Sequence, residues 1–332
     1  LTGPARVSAP IPARVPVVLG TEGDSNALDT AAAFADHYGA RIDVLSCVQP
    51  PHDLALVASL AELPPERLLA EMEDRRREQI AALVAEKWPG RDVAIHLRSG
   101  KPFIETIRFV LSQGVDFVIK AAEPLGGIRR FLFGSTDQHL LRKCPCPVWL
   151  VSADASPTPR TVLAAVDLDE EGAAEPATLA SLNRRVIDTA LCIAGPVGAE
   201  VIVLHSWDMI GSNLAWAFSS TRNAEVLSER YAREVQTARR RVMDRLLEEA
   251  GARNSAGQSV TPIPRLVRGP PEQVIQDQCR QLGTDVLVMG TTARTGLSGV
   301  IIGNTAENII NSLDCPVVAV KPEGFVSPIS ID

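Results

Sequence analysis

The sequence predicts an α/β protein built from two tandem copies of one doubly wound domain, each with a five-stranded parallel sheet. Three observations carry that expectation. The chain has 332 residues, more than the roughly 100–200 of a typical single domain. Short apolar runs alternate with helical patterns along its whole length, as in a parallel sheet with crossover helices. Finally, one constant shift lays the later part of the chain over the earlier part. Cys146-Pro147-Val148-Trp149-Leu150-Val151 returns 169 positions on as Cys315-Pro316-Val317-Val318-Ala319-Val320. The same shift pairs Gly134 with Gly303, Thr136 with Thr305, Asp116 with Asp285 and Gly100 with Gly269.

In the first copy, strands are expected at Val15–Leu19, Ile42–Val48, Val93–Leu97, Phe117–Ile119 and Val148–Val151. These runs are mostly apolar rather than alternating, which suits strands covered on both faces. Helical patterns fill the gaps at Asn26–Tyr38, Pro65–Lys87, Phe103–Ser112 and Ser135–Leu141. The second copy repeats the order, with strands at Val162–Val166, Val201–Leu204, Ile263–Val267, Val286–Met289 and Val317–Val320. Its helices are expected at Ser181–Ile193, Glu225–Ala250, Pro271–Leu282 and Asn304–Ser312. Upstream the register slips: Gly39 matches Gly198 at a shift of 159, and Gly20 falls opposite Asp167 at 147. The second copy therefore carries extra residues in Asp169 to Pro176 and around Ile210 to Asn223, where loops absorb insertions at low cost. The Pro- and Ser-rich stretch Ser152–Arg160 reads as the joint, dividing the chain into domains 1–153 and 158–332.

Composition narrows the partners. Hydrophobic residues make up 45% and charged residues 22%, close to globular averages. A formal net charge of −7 argues against a surface that neutralises nucleic-acid phosphates. Arg75-Arg76-Arg77 and Arg239-Arg240-Arg241 lie within helical patterns beside acidic residues and read as solvated helix faces. No run reaches the roughly 18–20 apolar residues of a membrane span, and the first residues carry no signal-like pattern. Six scattered cysteines suit reduced thiols in a cytoplasm.

In an open doubly wound sheet, ligands bind outside the carboxyl ends of the strands, where strand order reverses. The first strand of the second copy finishes in Ala165-Val166-Asp167. Its fourth finishes in Met289-Gly290 and runs through Ala293 to Gly303-Asn304-Thr305, at the start of a helix. Free backbone N–H groups and the helix dipole favour an anion such as phosphate there. His205 ends the second strand nearby, either lining a pocket or as a satisfied structural histidine. Trp207, Trp216 and Phe218 follow it, as a pocket cap or as core.

These motifs resemble the universal stress protein family. Its signature after the fourth strand is Gly, two residues, Gly, nine residues, Gly and Ser or Thr. ATP-binding members wrap phosphates and ribose with it, and an Asp ending the first strand contacts the nucleoside. Here Gly290, Ala293, Gly303 and Asn304 occupy the signature positions and Asp167 the acidic one. Gly303-Asn304-Thr305-Ala306-Glu307 and Val320-Lys321-Pro322-Glu323 look like the tandem, E-type branch. The resemblance implies a stress-response protein of the Rossmann-like, adenine nucleotide alpha hydrolase-like fold. Its halves would be related by a pseudo-twofold, with Pro147–Val151 and Pro316–Val320 meeting between them. This intramolecular pseudo-dimer needs no second subunit, and the sequence leaves homodimerisation open. The resemblance also implies ATP or another adenine nucleotide in the second domain, among Ala165, Val166, Asp167, His205, Met289, Gly290, Ala293, Gly303, Asn304 and Thr305.

The departures are informative. Ala293 replaces the second glycine and Asn304 the hydroxyl residue. The first copy has Ala121 and Pro124 for the early glycines and Gly20 for the acid, and Pro124 removes a backbone donor. Lys120 and Arg129-Arg130 read as exposed loop charges. The expected role is a small-molecule-binding protein with no dedicated catalysis. The rivals are a weak ATPase or nucleotide-transfer enzyme on the same pocket, and a scaffold with vestigial sites or a lipid-like ligand. Cys144-Pro145-Cys146 reads as core rather than metal, since no second Cys/His pair at finger spacing accompanies it.

Overall fold

The computed structural model describes residues 12–20, 24–123, 134–169, 173–208, 224–254, 260–291, 303–310, 312, 313 and 315–331, with the backbone alone at 224, 225, 254 and 304. The first copy runs β1 (Arg14–Leu19), α1 (Asp24–Tyr38), β2 (Arg41–Val48), α2 (Leu54–Leu60), α3 (Pro65–Lys87), β3 (Ala94–Ser99), α4 (Pro102–Gln113), β4 (Val118–Ala121), α5 (Ser135–Lys143) and β5 (Val148–Val151). The second runs β6 (Thr161–Ala165), α6 (Pro176–Ala194), β7 (Glu200–Trp207), α7 (Ala224–Asn254), β8 (Ile263–Arg268), α8 (Pro271–Leu282), β9 (Val286–Gly290), α9 (Asn304–Ile310) and β10 (Val317–Val320). Proline opens α3, α4, α6 and α8, where its missing N–H costs nothing and its fixed φ suits the first turn.

Among the described residues ten strands form one sheet, in the order β3-β2-β1-β4-β5-β10-β9-β6-β7-β8. Every pairing is parallel except β5 with β10, which is antiparallel. The order reads outward identically from that central pair, so each copy reverses direction at one crevice: β1/β4 in the first and β6/β9 in the second. Register fixes the correspondence residue by residue. Val18 pairs with Lys120 and Leu45, and Ala165 with Met289 and Leu204. The shifts of 147, 159 and 169 therefore describe real superposition, placing Gly20 opposite Asp167 and Ser46 opposite His205.

The sheet divides two cores. On one face α1, α3, α6 and α7 pack through Leu28, Phe34, Ile80, Val186, Ile187 and Met243 against Val17, Val44, Val162 and Val203. On the other, α4, α5, α8 and α9 pack through Ile107, Leu140, Ile275 and Ile309 against Val18, Leu45, Leu163 and Leu287. Alternate residues of a strand face opposite cores, which is why the strands read as unbroken apolar runs. Each fully buried Val, Leu or Ile contributes about 1.5–3 kcal/mol.

At the centre, Val317 pairs with Leu150, Val318 with Trp149 and Ala319 with Val148, the expected meeting of the last strands. The Arg142–Glu307 ion pair and a 2.7 Å bond from the Tyr38 hydroxyl to the Cys192 carbonyl reinforce the joint. The Asn26 amide holds the connecting segment by donating to the Ser152 and Ala155 carbonyls at 2.7 and 2.6 Å. Two departures concern elements. Helix α2 was not anticipated, because its seven-residue apolar run is too short to show a period. Helix α6 begins at Pro176, inside the stretch read as inserted loop.

Candidate functional site

The carboxyl edge of β6 is built before any ligand is considered. Val166 continues the ladder, its N–H donating to the Leu204 carbonyl at 2.9 Å. Asp167 then leaves the sheet, and Asn183 of α6 clamps both its backbone groups. The Asn183 Oδ1 accepts from Asp167 N at 3.0 Å, and Nδ2 donates to the Asp167 carbonyl at 2.6 Å. The Asp169 N–H donates to Asp167 Oδ1 at 3.1 Å, a local turn of the kind Asp favours. Arg239 of α7 reaches over the edge, donating to the Leu168 carbonyl and to Asp169 Oδ1, both at 2.8 Å. Asp167 is therefore held through its backbone by Asn183 and through its side chain by the Asp169 N–H, and is half-buried.

His205, on β7, is buried beneath this edge. Its Nδ1 lies 3.3 Å from the Leu168 N–H and 3.2 Å from the Val166 carbonyl, and it can serve only one of them in a given tautomer. In either case Nε2 is buried without a hydrogen-bond partner among the described residues. Burial pushes the imidazole below its usual range, so the ring is neutral at pH 7.

Ala165 and Met289 are register partners, so one step on Val166 stands beside Gly290, the last residue of β9, and Asp167 leaves the sheet just beyond it. Helix α9 crosses back from β9 to the parallel strand β10, and its first turn therefore lies at the same edge. That places Gly303, Asn304 and Thr305 there: Gly303 opens the helix, its carbonyl accepting from Glu307 N at 3.0 Å, and Thr305 is exposed. Ala293 lies outside the described residues, as do Trp216 and Phe218. Trp207 is buried at the end of β7, core rather than cap. At Gly290 the Cβ direction is occupied. A Cβ there would lie 2.5 Å from Leu182 Cδ2 and 2.9 Å from its Cγ. The glycine admits a leucine from α6, and ligand has no access along that direction.

The same corner of the first copy is chemically opposite. Lys120, the counterpart of Met289, is buried rather than an exposed loop charge. Its Nζ lies 2.8 Å from Asp137 Oδ1 and 3.5 Å from Glu123, and Asp137, fully buried, stands where the second copy has Ala306. The reading of Lys120 failed because the ion pair joins residues seventeen apart in sequence across β4 and α5. Glu123 N donates to Asp137 Oδ2 at 2.8 Å, and the Glu123 side chain fills the space a Cβ on Gly134 would need. Asp24 takes the role of Asn183, accepting from Gly20 N at 2.9 Å, and Arg76 takes that of Arg239, donating to Ser46 Oγ at 3.0 Å and to the Gly20 carbonyl. Asn183 and Leu182 were missed by the sequence reading, and Arg239, read as part of a solvated helix face, is instead turned onto this edge. The shift of 159 that aligns Gly39 with Gly198 also sets Asp24 against Asn183, the one signal that pointed to the clamp. Arg129 and Arg130 lie outside the described residues.

The universal stress protein family model matches the chain twice, over residues 14–152 and 159–321. The chain belongs to the universal stress protein family. It is 31% identical over 233 residues to universal stress protein E of Escherichia coli strain K12, covering 70% of this chain and 69% of that protein. It is 24% identical over 315 residues to universal stress protein Mb2028c of Mycobacterium bovis, covering 92% and 96%. Among solved structures, a putative universal stress protein from Pseudomonas aeruginosa UCBPP-PA14 superposes with a TM-score of 0.63 at 23% identity, over 95% of each chain. A universal stress protein from Archaeoglobus fulgidus gives 0.59 at 16%, over 93% and 98%. At those identities the structures bear on fold, and the tandem stress-response family rests on the sequence matches. Among the described residues no helix is long and apolar enough to cross a membrane, and no group of three metal-ligating side chains converges.

Proposed function

We propose that this universal stress protein binds a small ligand, an adenine nucleotide such as ATP, in its second domain (158–332), and does so without dedicated catalysis. The first domain (1–153) serves as its structural partner. The contrast between equivalent corners carries this reading. In the first copy Lys120 lies within ion-pair distance of Asp137 and Glu123, filling the corner where a phosphate would lie. In the second, Met289 and Ala306 stand in their place, and His205 Nε2 is buried with no partner among the described residues. A buried polar atom without a partner costs on the order of 1–3 kcal/mol, which a ligand donor or acceptor would recover.

The nucleoside would lie at the β6/β9 crevice against Asp167, His205 and the half-buried backbone of Gly290, with the anionic end toward Gly303, Asn304 and Thr305. Asn183 and Arg239 act by positioning Asp167 and its neighbours. Removing one hydrogen bond to a charged group costs about 1.5–3 kcal/mol, so Asp167→Ala is expected to weaken ATP binding about tenfold or more in titration calorimetry. Gly303→Val should weaken it as well while the fold persists. Unchanged affinity in folded Asp167→Ala removes this assignment. ATP turnover by the parent chain that Asp167→Ala abolishes would replace a binding role with an enzymatic one.

A further inference from the structure

A polar cluster lies buried at one end of the joint between the copies. Lys321, just past β10, is 2% exposed. Its Nζ donates to the Leu141 carbonyl near the end of α5 at 2.6 Å, and to Thr291 Oγ1, whose hydroxyl donates to the same carbonyl at 3.0 Å. The β5–β10 register, continued two steps past Ala319 and Val148, sets Lys321 opposite Cys146. Cys144 and Cys146 are 1% and 7% exposed, and their sulfurs lie 3.6 Å apart. Burial pushes the Lys321 ammonium down to about 7, with Cys144 the titratable group whose charge acts against that shift. Burial therefore favours the neutral amine, the form able to take a proton.

The duplication supplies an internal control. At the shift of 169 the counterparts of Lys321, Thr291 and Cys144 are Ser152, Ala122 and Leu313, and only Cys146 has a like partner, Cys315. The other end of the same joint thus closes without a lysine or a second thiol, with the hydroxyl of Ser152 in the lysine's place. Packing alone does not call for this cluster, and a buried amine with no carboxylate partner among the described residues is costly.

We propose that Cys144 and Cys146 form a redox-active dithiol, oxidised by hydrogen peroxide to an intramolecular disulfide, with Lys321 the base that takes the Cys144 proton. The Cys144 thiol proton passes to Lys321 Nζ, and the thiolate sulfur attacks one peroxide oxygen. The O–O bond breaks, and the departing hydroxide leaves as water with the proton from Lys321. Cys144 is now a sulfenic acid. The Cys146 sulfur attacks it, the S–S bond forms as the S–O bond breaks, and a second water carries away the Cys146 proton. In balance, two thiols and one peroxide become one disulfide and two waters. The sulfurs must close to about 2.05 Å, a small movement from their present separation. At 1% exposure Cys144 is closed to a bulky disulfide such as oxidised glutathione, so the oxidant of this proposal is the small peroxide.

The test uses the intact chain, reduced, treated with hydrogen peroxide, then denatured, alkylated and mapped by peptide mass. The expected result is loss of two hydrogens from the peptide holding residues 144–146, reversed by dithiothreitol, with Cys315 still a thiol. In Cys146→Ser, dimedone should trap a sulfenic acid on Cys144. In Lys321→Met, disulfide formation should slow about tenfold or more while thermal unfolding remains cooperative; Lys321→Gln replaces it if that variant fails to fold. Recovery of Cys144 and Cys146 as thiols at peroxide doses that oxidise the half-buried Cys47 and Cys192 would overturn the proposal. So would an unchanged rate in a folded Lys321 variant, or sulfinic acid on Cys144 with no disulfide.

Discussion

Gly290 shows how a motif residue can serve packing. Its Cβ direction is filled by Leu182 of α6, so the cost of substitution is steric. Gly290→Ala must push the leucine out of its rotamer, and overpacking of this kind costs about 1–3 kcal/mol. In the Leu182→Ala background the same change is expected to be nearly neutral, a coupling that a double-mutant cycle on denaturant unfolding reads directly. Equal costs in both backgrounds would return Gly290 to a purely ligand-facing role. At this scale the sequence was only partly legible. Asp167 and His205 stood out because their types are chemically marked and they end apolar runs. Asn183, Leu182 and Arg239 did not, because what makes them matter is a contact formed across sixteen or more residues of chain. Lys120 misled for the same reason: its partner Asp137 lies on another element, and burial is invisible without it.

Elements were read more surely than side chains. Strands buried on both faces announce themselves as apolar runs, and α8 was bounded at both ends by Pro271 and Gly283. The boundary slipped at α6, whose opening Pro176 ends the stretch read as an insertion, and α2 passed unseen. The joint between elements is where electrostatics enters stability. Lys321 fastens the end of β10 to the end of α5 through the Leu141 carbonyl. Its pKa is 10.5 ordinarily and about 7 in the fold, so between those values the unfolded chain binds more protons than the native one. Stability therefore rises with pH across that window, and below it the burial penalty is present in full. Lys321→Met removes the titration. Urea unfolding from pH 7 to 10 should show the parent gaining stability relative to the variant as pH rises. A constant difference would mean that the lysine titrates alike in both states.

For the whole molecule, duplication followed by divergence explains the layout. One strand order is repeated about an antiparallel central pair, and the repeat was legible because its landmarks kept one spacing over the last fifty residues of each copy. The chemical fates of the two mouths were legible only in part. Lost glycines and Gly20 marked the first as unlike a nucleotide site, but its internal ion pairs appear only in three dimensions. An arginine from the long crossover helix, Arg76 or Arg239, braces each mouth alike, so the difference lies in what each crevice contains. The direct measurement is the stoichiometry of ATP binding to the intact chain by titration calorimetry, with the parent and Asp167→Ala in parallel. One site per chain, weakened in the variant, is the predicted result. Two equivalent sites, or one that the variant leaves unchanged, would contradict the assignment of ligand binding to the second domain.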